Sequence, residues 1–183
     1  MEHAAYGALM IVDMQTALVA GHPWHETPVV QNIHALLQSC RKAGIPIIYV
    51  RHDGGKGDEL EHGTDGWQID AALTPHQGET VFEKQYNSAF LDTGLVEYLN
   101  KADINHFILC GMQTEYCIDV TCKAALEHGF AVTIAQGTTT TFDNEYMMAE
   151  QCCHYFEENI WNKRYATVLP LEKVLFEIAQ QQP

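Results

Sequence analysis

Six short apolar runs, spaced by stretches with helical or turn character, constrain this chain more than any other feature. They are ALMIV at 8–12, IPIIYV at 45–50, TVFE at 80–83, HFILC at 106–110, AVTIA at 131–135 and ATVL at 166–169. A strand with one solvated face alternates apolar and polar residues, whereas continuous runs suit strands covered on both faces. A parallel sheet between two helical layers meets that requirement.

The intervening stretches supply the helices. Thr27-Pro28 reads as an N-cap with proline at the first helical position. Val29, Val30, Ile33, Leu36, Leu37 and Cys40 then share one face, and Gly44 closes the helix. Leu95, Val96, Leu99 and Ala102 mark a second helix, and Ile118, Cys122, Ala125 and Leu126 a third, ended by Gly129. Residues 143–158 and 170–180 predict two more, the last with Leu171, Val174, Leu175 and Ile178 on one side. Such alternation predicts a three-layer α/β/α domain, Rossmann-like, with about six parallel strands and right-handed crossovers. The chain's 183 residues suit one domain of ordinary size.

A net charge of −14 repels nucleic acid and anionic membranes, so neither is expected as a partner. Residues 1–14 lack a basic, secretory-type start, and their apolar stretch is too short to span a bilayer. The six cysteines show no C-x-x-C spacing, which predicts free thiols in a reducing cytoplasm. Cys152 and Cys153 are read as structural, because adjacent cysteines rarely bridge without strain. Between Asp53 and Gln77 no periodicity is visible, and Gly54, Gly55, Gly57, Gly63 and Gly66 crowd together. A stretch of that length is expected to be a functional loop over one end of the sheet.

Ligands of open parallel sheets bind beyond the carboxyl ends of the strands. The first run delivers Asp13, the third Lys84 and the fourth Cys117 to that rim. Each has an ordinary reading on its own: turn former, surface cation and core filler. Together they suit acyl transfer from a C–N bond through a thioester. Cys117 would attack, Asp13 would move the proton, and Lys84 with an adjoining helix N-terminus would favour the thiolate. Free N–H groups from Gln113 to Cys117 would hold the oxyanion. Gln15, Trp24, Trp67, Tyr86, Phe90 and Tyr116 are candidates to enclose a small-molecule substrate, with Trp67 in the Gly-rich loop of most interest.

The segments ALMIVDMQ, EKQYNSAF and LCGMQTEYCIDVTCKAAL resemble, in order and spacing, three signature segments of the isochorismatase-like cysteine hydrolases. The resemblance runs from about residue 6 to 170. It implies a six-stranded parallel sheet and an Asp13–Lys84–Cys117 triad, with a non-proline cis peptide between Met112 and Gln113 beside the oxyanion site. It also implies a homo-oligomer, dimer or tetramer. Family members that cleave vinyl ethers lack the cysteine, so Cys117 favours amide, carbamoyl or cyclic amide substrates. An ether hydrolase, or a non-catalytic binding protein with the same fold, remains the alternative. Nicotinamidases in the family bind a divalent metal through Asp-x-His, where this chain has RHDGGKG. No metal or cofactor is therefore expected, and His52, Asp53 and His62 read as loop polar residues rather than ligands. Gly137 and Thr138 stand where many relatives have an Asp-Ala pair, and Thr138–Thr141 are expected to form a polar loop, with a place on the pocket rim as the alternative.

Overall fold

A computed structural model describes residues 5–181. In chain order its strands are β1 (Ala8–Val12), β2 (Ile47–His52), β3 (Thr80–Lys84), β4 (His106–Met112), β5 (Ala131–Ala135), β6 (Thr139–Thr140) and β7 (Thr167–Leu169). They form one sheet in the order β3-β2-β1-β4-β5-β7, with β6 paired to the end of β4. All these pairings are parallel. The sheet thus has seven strands where the apolar runs predict about six. The extra one is two residues of the threonine run, too short to carry a pattern.

The continuous apolar runs are explained by two cores, one on each face. From β1, Leu9 and Ile11 point to one side while Ala8, Met10 and Val12 point to the other. The first side is covered by α2 (Glu26–Ala43), through Val29, Ile33, Leu36, Leu37 and Cys40, and by α6 (Leu171–Ala179), through Val174 and Ile178. The second is covered by α3 (Leu95–Lys101), α4 (Asp119–Glu127) and Trp161. A fully buried Leu or Ile side chain contributes about 1.5–3 kcal/mol, so the α2 face alone outweighs any helix cap.

That difference in scale explains where the helix boundaries depart from expectation. α2 begins at Glu26, with His25 rather than Thr27 at the N-cap position. His25 stacks on Trp24 at 4.1 Å and its carbonyl accepts from the Val29 N–H. Pro28 still falls in the first turn, where its missing N–H costs nothing. The helix expected over 143–158 is α5 (Ala149–Tyr155) followed by a π-turn, Phe156–Trp161. Residues before it are a turn in which Asn144 Oδ1 accepts from the Tyr146 and Met147 N–H groups. α1 (Thr16–Ala20) is a short helix directly after the first strand.

The Gly-rich stretch lies over the carboxyl end of the sheet and is fastened to the segment after β1. Thr16 N–H donates to Gln68 O at 2.8 Å, Ala17 N–H to Gly66 O at 3.1 Å, and Asp70 N–H to Met14 O at 2.9 Å. Gly66 is required there, because a Cβ would sit 2.4 Å from Glu59 O. Among the described residues, no helix is long and apolar enough to cross a membrane.

Candidate active site

From β1 the chain builds outward through β2 to β3 and then returns to the opposite side of β1 as β4. The carboxyl ends of β1 and β4 therefore flank the point where strand order reverses, and a crevice opens there. Two backbone features shape it. Asp13 leaves β1 with φ +54°, an uncommon conformation for a residue with a side chain, and Gln15 N–H closes onto Asp13 O at 2.8 Å. Gly111 has φ +120° and lies opposite Val12 in the β1–β4 register. A Cβ at Gly111 would sit 2.0 Å from Val12 O, so this close approach admits only glycine. The next peptide, Met112–Gln113, is cis.

Beyond β4 the chain makes a π-turn, Thr114–Ile118, before α4 starts at Asp119. Gln113, not Thr114, occupies the N-cap position, and its carbonyl accepts from both the Tyr116 and Ile118 N–H groups. Cys117 thus stands inside an i→i+5 turn rather than in the first turn of an α-helix.

Lys84 ends β3, two strands from β1, and its long side chain reaches the crevice. Its Nζ lies 2.7 Å from Asp13 Oδ2, 3.2 Å from Cys117 Sγ and 3.2 Å from His52 Nδ1. Lys84 and Asp13 are each 2 % exposed, and Asp13 Oδ1 is buried with no hydrogen-bond partner. Cys117 Sγ also lies 3.7 Å from Asn87 Oδ1. Burial first, then the Asp13 carboxylate, push the Cys117 thiol up to about 12, with Lys84 opposing. The thiol thus lies beside a buried ion pair whose cation favours the thiolate and whose carboxylate, with burial, opposes it. Burial, and next the Lys84 ammonium, hold the His52 imidazole below its ordinary value.

A cavity of about 160 Å³ opens onto this cluster, lined by Asp13, Leu18, His52, Leu60, Asn87, Gln113, Tyr116 and Cys117. Of the residues expected to enclose substrate, Tyr116 lines it and the others sit elsewhere. Gln15 is fully buried, and its carboxamide clamps His52 N–H and O and Trp67 O. Trp67 lies against Arg51, whose guanidinium carbon is 3.2 Å from the ring centroid, and against His62. Tyr86 is half exposed in a neighbouring depression with Asp53 and Gln85. Phe90 stacks on Phe130 in the core, and Trp24 stacks on His25. Met112 is buried in the core on the α2 side.

Sequence reasoning missed Leu18, His52, Leu60 and Asn87. Reading the end of the second strand as the first and third were read yields His52, which pairs with Lys84 in the β2–β3 register. Leu60 comes from the aperiodic loop and carries no such signal. The threonines are not a solvated loop: all four are buried, and Thr141 Oγ1 donates to Gln113 Oε1 at 3.3 Å.

The residues near the implied metal position do not fit a divalent ion. His52 Nδ1 faces an ammonium, Asp53 Oδ1 accepts from Gly55 N–H, and His62 pairs with Glu83 at 3.5 Å. Among the described residues, no three His, Cys, Asp or Glu side chains gather in a metal-binding group. All six cysteines are free and buried.

A cysteine, a carboxylate and an ammonium thus meet beside one cavity at the reversal point of a parallel sheet in an α/β fold. The chain belongs to the isochorismatase family of hydrolases, whose isochorismatase domain matches residues 7–153. Streptothricin hydrolase of Streptomyces noursei is 32 % identical over 138 residues, covering 74 % of this chain and 50 % of that protein. The chain thus spans about half the length of that relative. Nicotinamidase 3 of Arabidopsis thaliana is 29 % identical over 155 residues, 75 % of each chain. The crystal structure of an isochorismatase from Pseudomonas putida superposes with a TM-score of 0.86 at 29 % identity, covering 91 % of this chain and 89 % of the other.

Proposed function

We propose that the chain is a cysteine amidohydrolase that cleaves a C–N bond of a small amide, carbamoyl or cyclic amide substrate. The observation that carries the reading is Lys84 Nζ, 2.7 Å from Asp13 and 3.2 Å from Cys117 Sγ at the base of a ligand-sized cavity. Because the thiol rests protonated, attack and proton removal are coupled. Cys117 Sγ adds to the carbonyl carbon as its proton passes to Asp13, whose Oδ1 is unpartnered. Gln113 and Cys117 N–H groups take the oxyanion role. Collapse of the adduct expels the amine, which leaves with the proton held on Asp13. Asp13 then deprotonates a water that attacks the thioester, releasing the carboxylic acid and restoring the thiol. Lys84 stays cationic throughout, stabilising negative charge as it moves between sulfur and carboxylate.

The cavity volume of about 160 Å³ suits a reacting group about the size of benzene. The test is a screen of small primary amides and lactams for release of ammonia or a new amine. Turnover by the intact protein and none by Cys117→Ala is expected, with an acyl adduct on Cys117 in intact-mass spectra. Turnover that persists in Cys117→Ala overturns the proposal and points to chemistry that needs no thiol.

A further inference from the structure

His52 belongs to the cavity wall, yet neither the triad nor the oxyanion site uses it. An ammonium has three donors and no acceptor. Lys84 spends them on Asp13 Oδ2, Cys117 Sγ and His52 Nδ1, at 2.7, 3.2 and 3.2 Å. Facing a donor, His52 Nδ1 must present its lone pair. The imidazole is then neutral, with its proton on Nε2, and the tautomer is set by Lys84 alone. His52 lines the cavity, and its contacts through Nδ1 and the backbone leave Nε2 out. The backbone of His52 is equally constrained, because Gln15 Oε1 accepts from its N–H and Gln15 Nε2 donates to its carbonyl. Such a double clamp fixes where the ring leaves the strand.

We propose that His52 is a positioning residue: through Nδ1 it holds the Lys84 ammonium between Asp13 and Cys117, and through Nε2–H it offers a donor to a substrate acceptor. The first task keeps the cation within reach of the sulfur. Without it, a butylammonium chain free to rotate would pair with Asp13 alone. The second task selects substrates carrying a carbonyl oxygen or ring nitrogen beyond the scissile group. This inference rests on the amidohydrolase reading for its second half only.

Two variants separate the tasks. His52→Asn places a carboxamide oxygen near the Nδ1 position and removes the Nε2 donor, whereas His52→Phe removes both. The first readout is the rate of Cys117 alkylation by iodoacetamide, followed by peptide mass, which needs no known substrate. Expected is a slowing of tenfold or more in His52→Phe, on the scale of one hydrogen bond to a charged group, and near-native alkylation in His52→Asn. With an amide substrate from the screen, His52→Asn is expected to raise KM several-fold with little change in kcat, and His52→Phe to lower kcat. Should His52→Phe fail to fold, His52→Gln carries the same expectation for alkylation, since its longer chain takes the acceptor past Lys84. Native alkylation in the Phe or Gln variant overturns the first task, and an unchanged KM in His52→Asn overturns the second. Loss of turnover in Cys117→Ala alongside native behaviour of all His52 variants refutes this inference and leaves the amidohydrolase reading standing.

Discussion

Lys84→Met tests whether the cluster is an electrostatic unit or three neighbours of convenience. The wild-type pair is deeply enclosed, with Lys84 and Asp13 side chains 0 % and 3 % exposed and 2.7 Å apart. At an effective dielectric constant of about 20, that separation corresponds to about 6 kcal/mol of attraction, much of it offset by desolvation of both ions. Methionine keeps the length and apolar stem of lysine but strands the Asp13 carboxylate, whose Oδ1 already lacks a partner. Breaking one side of such a pair costs about 3–5 kcal/mol, which in a chain of this size lowers Tm by about 6–20 °C. Asp13→Asn is expected to cost a similar amount by stranding the ammonium, softened because His52 and Cys117 still accept from it. The informative variant is the double one. With both charges gone, no ion is left uncompensated, and most of the loss should be recovered. Urea denaturation of the four proteins gives the coupling energy directly. A double variant whose loss equals the sum of the single losses refutes the reasoning, because two residues in contact as ions cannot act additively.

Two further outcomes follow from charge and burial. Burial pushes the thiols of Cys40, Cys117, Cys122 and Cys152 up to about 12 and that of Cys153 up to about 11, from an ordinary 9.0. Above about pH 9 the unfolded chain loses these protons while the folded chain keeps them. Stability is then full below about pH 9 and falls toward about pH 12, by about 1.4 kcal/mol per thiol per pH unit. The urea midpoint, measured in reductant, should drop between about pH 9 and about pH 10.5; a flat profile contradicts it. Separately, the cavity lining contains no free cation, and the chain carries a net charge of −14. A neutral amide should therefore exceed its carboxylate-bearing analogue in kcat/KM by about tenfold or more, and the reverse order would show an unassigned anion site.

Much of the architecture was legible because burial on two faces leaves a plain mark. ALMIV and HFILC read as covered strands, and the residues just past them fall at the sheet's rim wherever the strands are placed. Asp13 and Cys117 were visible for that reason, and Lys84 because it ends its own strand. The cavity wall was not legible, since large aromatics were weighed by character rather than by direction. Trp67 sits in the right loop, but Arg51 takes its ring, and Leu60 reaches the cavity instead. The π-turn at Thr114–Ile118 has no side-chain signature, because two shifted backbone hydrogen bonds, Ile118 N–H to Gln113 O and Asp119 N–H to Thr114 O, define it. The depth of Cys117 was not legible either: burial raises its thiol and opposes the lysine effect that favours a thiolate.

β1 is flanked by β2 and by β4, so its second neighbour arrives about a hundred residues later in the chain. The crevice has no floor until that last partner is seated, and Gly111 must then slide under the Val12 carbonyl for Cys117 to come near Lys84. A partly folded chain can hold its helices and half its strands without owning any of this chemistry. Whatever turnover the protein has is thereby a signal that its middle strands have closed, which makes activity a stricter gauge of native assembly than helical content.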